Sequence, residues 1–452
     1  MRRLTDRVRR TPLLEGLPRE VGVIAAIAFC VALGFGIVAP ALPIYATTFG
    51  VSAFLAGAVV SAFALMRLLS SAPAGALVDR VGERRVLTTG LLIVAVSSAL
   101  AGLAQDYIQL LLLRGVGGIG SSMFTVSAMA LLLKVAAARQ RGRAAGAFQA
   151  GFLLGGVAGP AVGGAVVGLS IRAPFFVYAV TLGLAAFVAW RYLPREPPGQ
   201  PVAPERSPAD PAVTQDVVTQ DVVTQEIDAA EESTLEGPPL PEQAGDRTAG
   251  PTAQAPTLGE ALRNPAYRAA LAANLTNGFV TFGLRSSLVP LFVIEGLSSD
   301  ATMSGIGFLV AAATQAIMLL PAGRLADQRG RRPALLLGAA LTLIGMGALV
   351  IAGATWMFLV AMAVSGLATA FMGSAPAAVA GDVAGPGGKG IVIAVFQMTA
   401  DLGAILGPLL AGFMADRLGF GPAFAVGVAV AAVALIAATR MPETLQPRSA
   451  DS

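Results

Sequence analysis

Gly75-Ala76-Leu77-Val78-Asp79-Arg80-Val81-Gly82-Glu83-Arg84-Arg85 is a charged, glycine-bearing turn set between two long apolar runs. It has a second copy, Gly323-Arg324-Leu325-Ala326-Asp327-Gln328-Arg329-Gly330-Arg331-Arg332, and Asp79 and Asp327 lie 248 residues apart. An unrelated pair of sites keeps the same offset: Phe148-Gln149 with Gly159-Pro160 recurs as Phe396-Gln397 with Gly407-Pro408. Two unlike motifs at one spacing make the chain a unit of about 190 residues used twice.

The runs on either side of these turns are too apolar for a soluble domain. Of the 452 residues 55% are hydrophobic and only 13% charged, and the mean hydropathy is +0.72, against roughly a quarter charged in soluble proteins. Stretches long enough to cross about 30 Å of hydrocarbon, about 20 residues each, fall near 21–45, 53–77, 86–105, 108–133, 143–166 and 171–191, and again near 268–294, 302–324, 333–353, 356–380, 388–412 and 419–440. The expected fold is therefore an all-α membrane protein, twelve transmembrane helices in two pseudo-symmetric six-helix bundles. Its parts are a tail (1–20), a first half (21–192), a linker (193–262), a second half (263–441) and a second tail (442–452).

The net charge of +4 conceals a strong asymmetry. Residues 193–262 hold 13 acidic residues and 3 arginines, leaving 28 of the 31 basic and 14 of the 27 acidic residues elsewhere. Arg80, Arg84, Arg85, Lys134, Arg139, Arg141, Arg143, Arg324, Arg329, Arg331, Arg332 and Lys389 all fall in loops on one side, and only Arg172 and Arg417 in loops on the other. By the positive-inside rule both termini and the linker are expected to be cytoplasmic, in a bacterial plasma membrane. Such sorting of basic residues explains the charge without nucleic acid. The first 20 residues carry six arginines but no apolar core ahead of a cleavage site, so they read as a retained tail. The linker is rich in Pro, Glu, Gln and Asp, nearly lacks aromatics and is expected to be disordered; its Thr-Gln-Asp-Val-Val repeat at Thr214 and Thr219 reads as low-complexity drift.

Histidine is absent, and the one cysteine, Cys30, lies in an apolar run. No nucleophile–base pair or metal constellation is visible, so the chain reads as no enzyme, with neither metal nor cofactor. Carboxylates alone are left to carry protons. Ionisable residues inside spans cost a few kcal/mol and usually serve a function. Four stand well inside: Arg67, Arg114, Arg285 and Asp401. Asp401 is the only acid among them and the candidate for proton coupling; a plainer reading makes it the structural ion-pair partner of Arg67 or Arg285. Arg114 can equally snorkel toward the outer surface.

The repeated turn, Gly75, Asp79, Arg80, Gly82, Arg84 and Arg85 with Gly323, Asp327, Gly330, Arg331 and Arg332, resembles the loop motif of the major facilitator superfamily in its twelve-span drug/proton antiporter type. The resemblance covers the chain apart from tails and linker, and the two copies join spans two to three and eight to nine, as in that family. It implies conformational latches: Asp79 and Asp327 end their spans where a partner from the other half can hold them, and Gly75 allows close helix approach. Glu83 stands where the family has a basic residue, which is expected to weaken the first latch. Gly155, Gly159, Pro160, Gly163 and Gly164 resemble the span-five signature of proton-linked exporters, and helix packing alone would also account for them. Arg114 with Gly118 resembles the span-four basic motif, with Gly117 in place of the usual glutamine.

A cavity wall of apolar and amide side chains is expected around the buried charges. Its members are Phe35, Phe124, Gln149, Asn274, Asn277, Gln315 and Gln397 with Arg67 and Arg285, joined by Met123, Phe148, Phe152, Phe282, Phe371, Met372 and Met398. The leading reading is a monomeric secondary transporter exporting small hydrophobic molecules by alternating access, coupled to proton entry. A facilitator or importer of a metabolite anion gripped by Arg67 and Arg285 is the alternative, and a transport-like membrane sensor comes last. The partners implied are a small-molecule substrate, protons and the lipid bilayer.

Overall fold

Apolar side chains all along a segment leave backbone groups no partner in lipid but their own helix, and the chain is helical throughout its spans. The computed structural model describes residues 17–136, 140–168, 170–194, 257–384 and 390–445. The Thr214 repeat and nearly all of the acidic stretch, Arg139, Lys389 and the outer parts of both tails lie outside the described residues, as do the side-chain surroundings of Arg141, Pro160 and Gly164.

Spans one to six are Arg19–Thr47, Ala53–Val81, Glu83–Gly102, Tyr107–Val135, Arg141–Val167 and Ala173–Tyr192. Spans seven to twelve are Pro265–Gly296, Ala301–Gln328, Arg331–Val350, Thr355–Ala384, Gly390–Leu418 and Phe420–Arg440. Among the described residues eleven of these are long and apolar enough to cross a membrane, and span five, with its apolar core Gly146–Gly159, is the twelfth. The protein is a multi-pass, all-helical membrane protein of two six-helix halves.

The ends of the spans follow from local chemistry. Gly82 (φ +92°) and Gly330 (φ +121°) adopt backbone conformations that a side chain disfavours, so each sharp turn of the repeated motif falls on its glycine. Asp106 caps span four through the Gln109 N–H at 2.8 Å. The end of the acidic stretch is ordered: Leu258–Arg263 is a short helix opened by a capping box between Thr257 and Glu260, although the sequence placed it in a disordered linker.

Small residues set the packing inside each half. A β-carbon on Gly151, Gly155 or Gly159 of span five would lie 2.3, 2.3 and 2.6 Å from the carbonyl oxygens of Ala25, Phe29 and Leu33 in span one. The second half repeats the arrangement: β-carbons on Gly403 and Gly407 of span eleven would lie 2.3 and 2.5 Å from the Leu275 and Phe279 carbonyl oxygens of span seven. Backbones touch here because side chains are missing. Span seven widens into π-helical turns at Gly278–Leu284, where it packs against span eleven, and again at Phe292–Gly296, where Phe292 packs against Phe358, Phe420 and Phe424.

The halves meet along spans two and eleven and along spans five and eight. The side of span two remote from the arginine-rich loops is in close contact: a β-carbon on Gly57 would lie 2.6 Å from the Pro408 oxygen, and one on Gly412 2.7 Å from the Ala53 oxygen. The Ser61 hydroxyl donates to the Ile405 carbonyl at 2.7 Å, and Ala64 packs with Ala404 and Ile405.

Candidate functional site

Span two carries Arg67 and span eleven carries Asp401, and the two side chains form an ion pair between the halves. The pair sits next to the Ala64–Ile405 contact, where the closely packed stretch ends. Beyond it, toward the arginine-rich loops, Leu69 is 61% and Met398 50% exposed, and nothing lies within 4 Å of a β-carbon built on Gly75. The Arg67 side chain retains 37% exposure against 17% for Asp401. Geometry thus favours the plainer of the two sequence readings in one respect, since Asp401 has an arginine partner, and that partner belongs to the other half.

Arg114 is buried at 4% exposure. It does not reach for a surface: its guanidinium stands over the Phe63 ring, 4.6 Å from the centroid, a cation–π contact of span four with span two. The departure at Gly117 has a steric reason, because a β-carbon there would already be 3.0 Å from Ser97 Oγ and 3.5 Å from the Phe63 ring. A side chain at this place must displace the Ser97 hydroxyl. Gly118 likewise lets span four approach the Phe63 carbonyl, 2.3 Å from a built β-carbon.

Arg285 of span seven, just past the π-helical turn, faces the interior of the second half. Its Nη1 lies 3.5 Å from Thr369 Oγ1, and among the described residues it has no carboxylate partner. A small cavity adjoins it, lined by Asn277, Thr281, Thr342, Ser365 and Thr369 with Met346 and Met372. Arg285 Nε, Asn277 Oδ1 and Ser365 Oγ are buried there without a hydrogen-bond partner.

The remaining expected cavity residues divide. Phe35 stands 6.3 Å from Phe63, ring to ring, and is half-buried. Gln149, Gln397 and Phe282 are exposed and Gln315 is half-buried. Phe124 is not a wall residue: it is buried in the first half's core against Phe148 and Phe152. Phe371 is core in the second half, and Met123 packs in a satellite cluster among spans two, three and four. Asn274 is a strap, its amide donating to the Phe396 carbonyl at 2.6 Å and so joining spans seven and eleven.

At the arginine-rich end the two turns differ. Asp327 pairs with Arg331, whose Nε also reaches Asp382 Oδ2 at 3.2 Å, all within the second half. Asp79 is exposed and has no ion pair among the described residues, so neither aspartate is held by the other half in this state. Arg84 donates to the Trp190 carbonyl and Arg332 to the Thr439 carbonyl at 2.8 Å, one role in both repeats: tying the turn to the last turn of span six or twelve. Glu83 opens span three, where a negative charge is favoured, and meets Lys134 Nζ at 3.4 Å.

Two acids that sequence reasoning passed over hold helix N-termini. Asp416 of span eleven accepts from the N–H groups of Ala53 and Phe54 at the start of span two. Glu443, past the end of span twelve, accepts from the N–H groups of Arg331 (2.7 Å) and Arg332 (3.1 Å). Burial alone would raise the Glu443 carboxyl, but backbone donors from Leu445, Arg331, Arg332 and Thr444 bring it below its usual 4.5.

The fold is two repeated six-helix halves of a multi-pass membrane protein, meeting around a charged pair at mid-span. The family model of the Major Facilitator Superfamily matches residues 24–313 and 270–452, and the chain belongs to that superfamily. It is 31% identical over 160 residues, 35% of its length and 41% of the relative's, to the quinolone resistance protein NorA of Staphylococcus aureus. Over 168 residues, 37% and 42% of the two chains, it is 30% identical to multidrug resistance protein 2 of Bacillus subtilis. The chain thus spans about two fifths of the length of these curated relatives. Among solved structures, an inward-facing, unoccupied bacterial homologue of the human lysosomal transporter Spinster superposes with a TM-score of 0.65 at 17% identity, covering 93% of this chain and 95% of that one. The nucleoside transporter NupG gives 0.64 at 12% identity, covering 93% and 99%; both likenesses concern the fold.

Proposed function

We propose that the protein exports small hydrophobic, drug-like molecules by alternating access, exchanging them for protons. The observation that carries this reading is the Arg67–Asp401 pair, which joins the two halves where their close contact ends. A proton on Asp401 removes the charge that holds Arg67, and a substrate that draws either side chain away does the same. Both therefore compete for one inter-half tie, and competition for a shared group is the minimum that exchange requires. With Asp416, Ser61 and the Gly57–Pro408 contact holding spans two and eleven together on one side, and no neighbour within 4 Å of a β-carbon on Gly75 on the other, the state is taken in this scheme to be closed outward and open inward. In this scheme the arginine-rich loops, both termini and the acidic linker face the cytoplasm of a bacterial cell, and the monomer is the working unit.

The drug-resistance names of the Staphylococcus and Bacillus relatives support the choice of substrate class. A facilitator gripping a metabolite anion between Arg67 and Arg285 is less well supported, because Arg67 already has a carboxylate partner and Arg285 faces the bundle interior. Asp79 and Asp327 act as latches of the opposite, inward-closed state. The decisive experiment is uptake of fluorescent lipophilic substrates into inverted vesicles under an imposed pH gradient. Gradient-driven accumulation by the wild type, lost in Asp401→Asn, is the expected result; accumulation by the variant equal to wild type would end the coupling assignment.

A further inference from the structure

The geometry points to a binding site for a single small monovalent anion, of halide size, inside the second half at Arg285. The ion-pair inventory inside the spans leaves a surplus of positive charge: Arg67 is matched by Asp401, Arg114 is stacked on Phe63, and Arg285 has neither carboxylate nor ring among the described residues. An unmatched cation at that depth is costly and is ordinarily compensated.

The compensation is not supplied by side chains, but the room for it is. The cavity beside Arg285 holds about one water-sized particle. Three polar atoms bordering it, Arg285 Nε, Asn277 Oδ1 and Ser365 Oγ, have no partner. Arg285 N–H and the Ser365 hydroxyl are donors, and the Asn277 side chain offers its NH2 once its amide is turned, an orientation that amides adopt to suit their partners. Thr369 completes the rim; its hydroxyl hydrogen is committed to the Ser365 carbonyl at 2.8 Å, so it supports Arg285 as an acceptor. A water molecule would satisfy the three atoms but leave the charge. A halide satisfies the donors and the charge together.

The repeat strengthens the case. Subtracting the 248-residue offset from Asn277, Arg285, Ser365 and Thr369 lands on Phe29, Ile37, Gly117 and Ser121, so the first half has no arginine at the position equivalent to Arg285. The site lies among spans seven, nine and ten, away from the Arg67–Asp401 tie, so it is independent of the transport reading. A binding measurement tests it whether or not the protein exports drugs.

The test is thermal unfolding of the full chain in lipid nanodiscs, titrated with sodium chloride or bromide against sodium gluconate at constant ionic strength. A saturable rise in Tm with chloride and bromide and none with gluconate is expected, with the response lost in Arg285→Gln. Asn277→Asp, which puts a carboxylate in the cavity, should unfold at a Tm that no longer depends on halide. Equal responses to chloride and gluconate, a halide response surviving in Arg285→Gln, or an undiminished one in a folded Asn277→Asp would each overturn the site. The Asn277→Asp arm decides the matter if Arg285→Gln does not fold.

Discussion

Asp416 of span eleven accepts hydrogen bonds from the backbone of Ala53 at 2.8 Å and of Phe54 at 3.0 Å, so the first turn of one half is capped by a carboxylate of the other. The first N–H groups of a helix have no partner within it and favour negative charge. This cap exists only while spans two and eleven are together at that end, so its loss falls on the state proposed above to be closed outward. Asp416→Ala is expected to cost that state about 1 kcal/mol, shifting the conformational equilibrium roughly fivefold toward the outward-open form. Maleimide labelling of a Leu69→Cys reporter in a Cys30→Ala background measures the shift, and labelling should slow. Unchanged labelling would show that the cap contributes nothing to closure.

The Arg67–Asp401 tie predicts a separation of two activities. Asp401→Asn keeps side-chain volume and removes the charge. Export driven by a pH gradient should fall at least tenfold, while downhill movement of substrate and substrate affinity stay within a few-fold. If affinity and downhill flux collapse together with driven export, Asp401 holds the fold or the substrate and carries no proton.

Glycine positions with opposite surroundings give a paired prediction. A β-carbon on Gly155 would collide with the Phe29 carbonyl oxygen at 2.3 Å, whereas one on Gly75 meets nothing within 4 Å. Gly155→Ala is expected to lower stability by about 1–3 kcal/mol, read as a lower Tm in detergent. Gly75→Ala should leave Tm unchanged yet slow transport, because the latch proposed for this motif brings helices close at Gly75 only in the inward-closed state. Normal transport by Gly75→Ala would remove Gly75 from the latch.

The architecture was legible because its signals are one-dimensional. Span lengths follow from apolar runs, and the repeat follows from spacing; Pro73 and Pro321 stand at that same offset inside spans two and eight, a further pair that the sequence carried. Charged residues inside spans were legible because they are so few, and Asp401 had few partners to find. Faces were not legible. In lipid both sides of a helix are apolar, so no hydrophobic period separates a core phenylalanine such as Phe124 from a cavity phenylalanine. Asp416 and Glu443 were missed for another reason: their partners are backbone N–H groups, which no residue letter encodes, and an acid near a loop ordinarily means only solvation. The π-helical turn Gly278–Leu284 beside Arg285 is packed against span eleven, a tertiary contact that no local pattern shows.

Glu443 offers a prediction with a defined pH sign. Its carboxylate holds the Arg331 and Arg332 N–H groups at the start of span nine and occupies the place where a β-carbon on Gly330 would sit, 2.2 Å from its Oε2. Because the folded carboxyl titrates below its usual 4.5, its contribution is complete at pH values above 4.5 and is lost as pH falls through the depressed folded value. Partial exposure to solvent limits that contribution to about 0.5–1 kcal/mol. Glu443→Gln should therefore melt lower than wild type at pH 7, with the gap closing on acidification below the ordinary carboxyl range. A gap that is constant from pH 7 to pH 3 would assign the effect to lost packing, since packing does not titrate.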